Sequence, residues 1–196
     1  MSPTSPVDRS TLTPTTVPPR VEALRASFTD AGVDALLVTD LTNIRYLTGF
    51  TGSAALLVVT GGDLTFVTDG RYGQQASDQL GAAGVDALIE VATDQRGPVV
   101  GAVTAAGATR LGLEAGAVTW AAQRTYEGTW FPSIELVPTE GLVEGLRVVK
   151  DEGEIARIAA AAAIADAALA SVRPRLLEGP TEAEFGLELD TEMRRL

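Results

Sequence analysis

Apolar and polar residues follow one another along the chain in blocks that predict alternating strands and helices. Short runs rich in β-branched and large aliphatic residues are typical of buried strands, and they recur at 33–39, 54–59, 64–67, 85–92, 110–114 and 134–138. Apolar residues at helical spacing predict helices at 20–31, 73–80, 97–108 and 119–127. This order predicts an α/β fold with a mixed, mostly parallel sheet of about five or six strands and flanking helices.

Two of these strands are predicted to pair as a β-hairpin. Ala54–Val59 and Leu64–Val67 are separated by Thr60-Gly61-Gly62-Asp63, a short glycine-containing connection of the kind that joins antiparallel strands. Polar and aromatic residues gather beside glycines at both ends of the hairpin, in NIRYLTGF (43–50) and in DGRY (69–72). We expect eight apolar side chains to be buried in the sheet: Leu36, Val38, Leu56, Val58, Phe66, Leu88, Leu111 and Leu136.

From residue 142 onward the pattern changes to long helices. Asp151 and Glu154 have the spacing of a capping box, and they open an alanine-rich helix that should run to about Arg173. Thr181 and Glu184 form a second capping box before an amphipathic helix. Both helices have apolar faces without a partner, and the second has no stop signal. We therefore expect the sequence to be a truncated piece of a longer protein.

Composition and charge exclude several classes of function. A formal charge of −11 and a pI near 4.4 argue against binding to nucleic acid or to an anionic membrane surface. The 196 residues include no histidine and no cysteine, which excludes a Ser-His-Asp triad, a Cys-His pair, an ordinary zinc site and a disulfide framework.

Neither a leader nor a membrane span is expected. Residues 1–19 have neither a basic start nor an apolar centre, so we expect a disordered arm and no signal peptide. The longest apolar stretch, 155–172, is mostly alanine and contains Arg157 and Asp166, which argues against a transmembrane helix.

Two stretches resemble one known family. NIRYLTGFTGS, followed by an apolar hairpin and TDGRY, resembles the N-terminal domain of the creatinase, prolidase and Xaa-Pro aminopeptidase metallopeptidases. Further on, LRVVKDEGEIARIAAAAAIADAAL resembles the junction between that domain and the first helix of the family's catalytic domain. The resemblance implies a creatinase-like N-terminal domain at 20–141, a linker at 142–150 and the truncated start of a pita-bread catalytic domain at 151–196.

The same resemblance implies an activity for the parent protein. That activity is a Xaa-Pro aminopeptidase that removes the N-terminal residue preceding proline and uses a metal-activated hydroxide. Its two divalent metal ions, expected to be manganese, would be held by two aspartates, one histidine and two glutamates beyond residue 196. No catalytic residue and no metal ligand is therefore assigned within this chain. The resemblance also implies a cytoplasmic homo-oligomer, expected to be a dimer, that acts on peptides with proline at the second position.

Other functions remain open on the sequence alone. Prolidase or creatinase would share this half of the chain with the aminopeptidase. A different class is a stand-alone, non-catalytic interaction or dimerisation module that keeps the domain without a metal site.

Four residues are candidates for a substrate entrance, because the family's N-terminal domain borders the active-site cleft of its own or a partner subunit: Tyr46, Phe50, Arg71 and Tyr72. The alternative is purely structural. In that case Asn43 caps a short turn, the aromatic rings pack on the sheet, and the arginine pairs with Asp69 or Asp40.

The two aspartates raise one further alternative. Asp40 and Asp69 each follow a predicted strand, where α/β sheets often place ligands, and two carboxylates can hold Mg²⁺. The sequence offers neither a third ligand nor a phosphate-binding loop beside them, so no metal site is assigned.

Overall fold

A computed structural model describes residues 11–196, and the first part of the predicted arm, 1–10, lies outside the described residues. The described residues divide into two compact units, Thr16–Val149 and a second unit that combines Lys150–Leu196 with residues 11–15. Residues 18 and 19 were assigned to the arm but begin the first helix, because proline is well suited to a first helical turn.

The first unit is built on a six-stranded sheet with the order β4-β3-β2-β1-β5-β6. Neighbours β1–β5, β5–β6 and β3–β4 are parallel, whereas β1–β2 and the hairpin β2–β3 are antiparallel. The predicted mixed, mostly parallel sheet and its hairpin are thus confirmed. The strands are β1 Ala35–Val38, β2 Ala55–Thr60, β3 Leu64–Thr68, β4 Leu88–Val91, β5 Arg110–Glu114 and β6 Glu135–Thr139.

Helices cover both faces of this sheet. On one face α1, α3, α4 and α7 contribute to a hydrophobic core, and on the other α5 and a π-helical turn at Tyr126–Trp130 contribute to a second core. The helices of this unit are α1 Pro18–Ala26, α2 Phe28–Ala31, α3 Leu41–Thr48, α4 Gly73–Ala82, α5 Arg96–Ala105, α6 Trp120–Thr125 and α7 Leu142–Val148.

Strand β1 lies at the centre and explains why its sequence is apolar at every position. Leu36 and Val38 belong to the first core, whereas Ala35 and Leu37 belong to the second, and all four are fully buried. A strand covered on both faces cannot show the alternation of a half-exposed strand.

The expected burial is confirmed for five of the eight apolar residues, since Leu36, Val38, Val58, Phe66 and Leu111 are all buried. Two more, at positions 56 and 136, are half-buried. The prediction for residue 88 is wrong: Leu88 is 61% exposed. It lies on the edge strand β4, and α5 packs over β2 and β3, so this edge of the sheet remains uncovered on that face.

Helix α3 occupies the stretch that the sequence indicated only as a polar segment leading to a turn. Its N-cap is Asp40, whose carboxylate accepts hydrogen bonds from the N–H groups of Thr42 at 2.7 Å and Asn43 at 3.0 Å. Gly49 ends the helix with φ of 78°, a conformation that glycine adopts without steric cost. The cap is therefore Asp40 and not Asn43, which the structural alternative had proposed.

The predicted linker, 142–150, contains helix α7. Its Val143 is buried in the first core, and Leu142 and Leu146 pack against that core. The compact first unit consequently extends to residue 149.

The second unit contains the two helices that the capping boxes predicted. Helix α8, Glu152–Val172, begins at the Asp151/Glu154 box, and helix α9, Glu182–Arg195, begins at the Thr181/Glu184 box. The two helices pack against each other across a 3-10 turn at Arg173–Glu178. Within the described part of the chain, this second unit contributes no strand.

One helical stretch of residues 11–196, Glu152–Glu178, is long and apolar enough by length and composition alone to cross a membrane. Core helices of soluble proteins meet the same criterion, so this is weak evidence for a membrane span. The stretch carries Arg157 and Asp166 in its interior.

The sheet geometry makes a test of stability straightforward. Leu57 is fully buried in the first core, so Leu57→Asp places an unpaired carboxylate there, and we expect it to lower the free energy of unfolding by more than about 4 kcal/mol. Leu88→Asp is the matched control on the same sheet, and we expect a change below about 1 kcal/mol because that side chain is exposed. Urea unfolding followed by circular dichroism measures both. A Leu57→Asp protein as stable as the control would contradict the assigned register.

Candidate functional site

Three of the four predicted entrance residues lie together where the two ends of the hairpin meet. Phe50 is buried, with its ring centroid 4.8 Å from that of Phe66 and 5.7 Å from that of Tyr72, both in edge-on geometry. Gly52 passes between the rings, since a Cβ atom there would lie 2.2 Å from the Phe50 ring and 2.9 Å from the Tyr72 ring. We call Phe50, Gly52, Phe66 and Tyr72 the aromatic corner.

Arg71 lies on the solvent side of the aromatic corner. Its guanidinium group donates two hydrogen bonds to Asp69, from Nε to Oδ1 at 3.1 Å and from Nη2 to Oδ2 at 2.8 Å, and lies 5.1 Å from the centroid of Tyr72. The side chain of Arg71 remains 68% exposed. Hydrogen bonds from Arg71 lower the pKa of Asp69, and this pairing is the one predicted by the structural alternative.

The hydroxyl of Tyr72 shares a hydrogen bond of 2.7 Å with the Ser53 hydroxyl. Hydrogen bonding with Ser53 lowers the pKa of Tyr72, and the nearby Arg71 cation acts in the same direction. The corner thus presents a cation, an aromatic face and an oriented hydroxyl next to one another, a combination that can bind a carboxylate or a peptide carbonyl group.

Tyr46 packs against the same core as Phe50 and joins three helices. Its hydroxyl donates to the carbonyl of Leu146 on α7 at 3.2 Å. The guanidinium group of Arg20 on α1 lies 4.1 Å from the ring centroid and donates to the Tyr46 carbonyl at 2.8 Å. Both the hydroxyl and the ring of Tyr46 are therefore engaged by residues outside the aromatic corner.

A buried polar network was not found by reasoning on the sequence. Glu114, at the end of β5, is 8% exposed, and its Oε2 accepts hydrogen bonds from the backbone N–H groups of Thr39 at 2.6 Å and Asp40 at 2.8 Å. Its Oε1 accepts from the Asn43 side-chain amide at 2.8 Å. One carboxylate therefore fixes the turn that leads from β1 into α3.

Asn43 extends this network to helix α7. The fully buried side-chain amide donates to Glu144 at 2.6 Å as well as to Glu114, and its carbonyl oxygen accepts from Arg147 at 2.9 Å. Both amide protons of Asn43 are thus used, and each of its partners carries a charge. The available signal was an asparagine on an otherwise apolar face of α3, but its partners lie 71 to 104 residues away.

A cavity of about 380 Å³ opens beside this network, at the carboxyl ends of the parallel strands β1, β5 and β6. Ligands of α/β sheets bind most often at such an edge. Its polar lining includes Asp40, Glu114, Thr139, Glu140 and Glu144.

The implied metal centre does not fit the described residues. Across positions 11–196 the structure groups no three His, Cys, Asp or Glu side chains in a way that could hold a metal ion. Of the two aspartates considered for Mg²⁺, Asp40 caps α3 and Asp69 is paired with Arg71.

The contribution of the buried network to stability can be measured by replacing Asn43. We expect Asn43→Leu to lower the free energy of unfolding by about 3 kcal/mol, because Glu114, Glu144 and Arg147 then lose a buried partner. Gln74→Leu is the control, since the Gln74 amide donates to Asp78 on the exposed surface of α4, and we expect less than about 0.5 kcal/mol. Equal effects of the two variants in urea unfolding would mean that the network adds nothing.

The cap of α3 predicts a dependence of stability on pH. Burial alone would raise the pKa of Asp40, but the backbone N–H groups of Asn43 and Thr42 lower it, and the net direction is down. The contribution of the ionised cap is therefore present above the unfolded pKa of about 4 and is lost as the pH falls through the lower folded-state pKa.

We therefore expect Asp40→Ala to cost about 1 kcal/mol near neutral pH and much less at about pH 2. Asp40→Asn keeps a cap that does not titrate, so its stability relative to the wild type should improve on acidification. Urea unfolding at the two pH values checks both variants. A gap between wild type and Asp40→Ala that is the same at both would contradict the assignment.

Comparison with known proteins gives consistent matches. The Creatinase/Prolidase N-terminal domain family matches residues 20–149. An uncharacterized peptidase of Bacillus subtilis (strain 168), YqhT, is 36% identical over 179 residues, which is 89% of this chain and 48% of that protein. This chain thus spans about half the length of that curated relative.

Solved structures agree with this result. The Xaa-Pro dipeptidase of Bacillus anthracis has a TM-score of 0.79 at 33% identity, over 90% of this chain and 48% of that one. The N-terminal domain of the cytoplasmic peptidase PepQ of Mycobacterium tuberculosis H37Rv has a TM-score of 0.59 at 34% identity, over 65% of this chain and 98% of that one. With the family match across most of the first unit, these similarities identify the chain as a member of the creatinase/prolidase family of peptidases.

Proposed function

We propose that this chain is the N-terminal portion of a metal-dependent Xaa-Pro aminopeptidase, which removes the N-terminal residue preceding proline. The observation that carries the proposal is the extent of similarity to the Bacillus anthracis dipeptidase, which covers 90% of this chain but only 48% of that enzyme. A similarity that covers nine-tenths of the chain extends into the second unit, where α8 and α9 would begin the catalytic domain.

The domain division follows from the same proposal. Residues 20–141 with α7 form the N-terminal domain, and 151–196 form the start of a pita-bread catalytic domain. The parent would be a cytoplasmic homodimer that acts on peptides with proline at the second position. The cytoplasmic assignment is supported by the named location of the Mycobacterium tuberculosis relative.

Catalysis would depend on residues beyond position 196. Two manganese ions held there would supply an activated hydroxide for attack on the scissile carbonyl. For the part of the chain that the structure describes, the proposed role is to bind and orient the substrate.

Arg71 and Tyr72 are the residues we propose for that role. Arg71 is exposed, and its side-chain hydrogen bonds to Asp69 use Nε and Nη2, so Nη1 can donate to a substrate carboxylate. Phe50 would support them from within the core, because its ring contacts Tyr72 directly. Tyr46 would act only indirectly, since its hydroxyl and ring already hold α1 and α7.

A second candidate activity is that of a prolidase, which cleaves a dipeptide that ends in proline. It is favoured by one observation, that the similar Bacillus anthracis protein is an Xaa-Pro dipeptidase. The two activities differ in whether a longer peptide is accepted.

The proposal predicts the size of the protein in its native cell. Immunoprecipitation followed by intact mass spectrometry should give about twice the 20.4 kDa of this chain, because YqhT and the Bacillus anthracis dipeptidase are each about twice as long as this chain. A mass near 20.4 kDa would instead support the stand-alone interaction module.

Activity should be assayed on the purified native protein with Mn²⁺ present and after chelation. Release of the first residue from a Xaa-Pro-Xaa tripeptide supports the aminopeptidase, whereas cleavage of Xaa-Pro dipeptides alone supports the prolidase.

Arg71→Ala should raise the KM for the peptide substrate, while Arg124→Ala, which removes an exposed arginine paired with Glu127, should leave it unchanged. Unchanged KM in both variants would remove Arg71 from the entrance.

A further inference from the structure

Strand β4 leaves one side of the sheet open. Within the described residues it is the terminal strand of the sheet, and Val91 and Leu88 on it are exposed by 51% and 61%. Monomeric proteins usually cover or blunt such an edge, because its unpaired backbone groups can bind another extended chain.

The backbone of β4 has hydrogen-bonding groups that point away from the sheet. Val91 pairs in register with Thr68, and the next residue, Ala92, donates its N–H to the Thr68 carbonyl at 2.9 Å. In a parallel ladder alternate residues bond to opposite sides, so the N–H and C=O groups of Val91 and Ile89 face outward.

The opposite edge of the sheet is protected. Strand β6 contains Pro138, which lacks a backbone N–H, and Glu135, which is paired with Arg110. The two edges therefore differ in chemistry, and β4 is the one suited to accept another strand.

A groove of about 980 Å³ adjoins β4. Its floor and walls come from α1, the start of β3, β4 itself and the small residues Gly101, Ala102 and Ala105 of α5. Leu88 and Glu90 lie on the α5 face of the sheet, because Val67, the partner of Glu90, belongs to the core on that face. On the α5 face, a strand bound beside β4 would therefore contact the apolar side chain of Leu88 and, two residues further along, the acidic side chain of Glu90.

The groove is acidic. Among the described residues, its lining contains Glu22, Asp63, Asp86 and Glu90 against a single basic side chain, Arg25. Arg25 is already engaged, because it forms an ion pair with Glu22 and donates to the Thr60 carbonyl at 2.7 Å. The groove thus favours a cationic partner, and a second copy of this chain, with a net charge of −11, lacks that complementarity.

We propose that the edge of β4 and its acidic groove form a docking site for an extended basic peptide segment of a partner protein, which adds a strand to the sheet. Backbone hydrogen bonds to Ile89 and Val91 hold the segment, and alternate lysine or arginine side chains reach Glu90 and Asp86. This inference is independent of the proposed peptidase activity.

The test uses the full chain and synthetic peptides in fluorescence anisotropy. The probe is a labelled nine-residue peptide of alternating Lys and Val, and the comparison peptide has Glu in place of each Lys. We expect the basic peptide to bind at least about tenfold more tightly, with an affinity that falls as salt is raised. Equal binding of the two peptides, or no binding of the basic one, would overturn the proposal.

Two further probes test strand addition and not charge alone. One basic peptide carries N-methyl groups on its Lys residues and the other on its Val residues. Only one set of N–H groups can face β4, so one peptide should lose binding and the other should keep it. Equal affinity of the two methylated peptides would show that no strand is added.

Protein variants locate the site. Glu90→Lys and Asp86→Lys should each weaken binding at least about fivefold, whereas Asp30→Lys, an exposed change on α2 outside the groove, should alter it less than about twofold. Val91→Pro removes an outward N–H and should weaken binding without changing the circular dichroism spectrum. If Val91→Pro instead dissociates a dimer of the chain and leaves peptide binding unchanged, the edge belongs to a second copy and the proposal fails.

Discussion

The Glu114 carboxylate is the contact on which the organisation of the first unit depends. It lies at the end of β5 and accepts hydrogen bonds from two backbone N–H groups of the turn after β1 and from the side-chain amide of Asn43. A buried carboxylate is costly unless it is fully hydrogen-bonded, so the turn and α3 must lie where they satisfy it. Glu144 and Arg147 then attach α7 to the same asparagine. One network thereby fixes β1, α3 and α7 to each other.

Much of the fold was predictable because its signals are local. The hairpin connection lies within a few residues of its strands, and both capping boxes are spaced by three residues, so each could be recognised without knowledge of the rest of the chain. Helix α3 also had local signals, Asp40 at its start and Gly49 at its end. It was missed because its eight residues are too few to show a clear apolar period.

The remaining errors arose because the burial of a residue depends on which distant elements pack against it, and the sequence pattern does not identify those elements. Leu88 has the same type of side chain as the buried residues of the central strands, but β4 lies at the edge, whereas α5 packs mainly over β2 and β3. The same limit applies to the candidate site. The aromatic corner was indicated by residues close in sequence to the hairpin, whereas the partners of Asn43 depend on how distant strands and helices pack. The apolar pattern predicts that a residue belongs to a strand, but only the topology of the sheet determines whether that strand is central and buried or lies at an edge.

The position of α7 in the chain has a consequence for folding during synthesis. Asn43, on the third helix, obtains its last hydrogen-bond partner from a residue 104 positions later. Before Arg147 is synthesised, the Asn43 amide and the Glu114 carboxylate lack this partner, although all six strands already precede it in the chain. Helices α8 and α9 carry their own capping boxes and require no such distant partner to define where they begin. The first unit therefore obtains the last partner of its buried network only from its final helix.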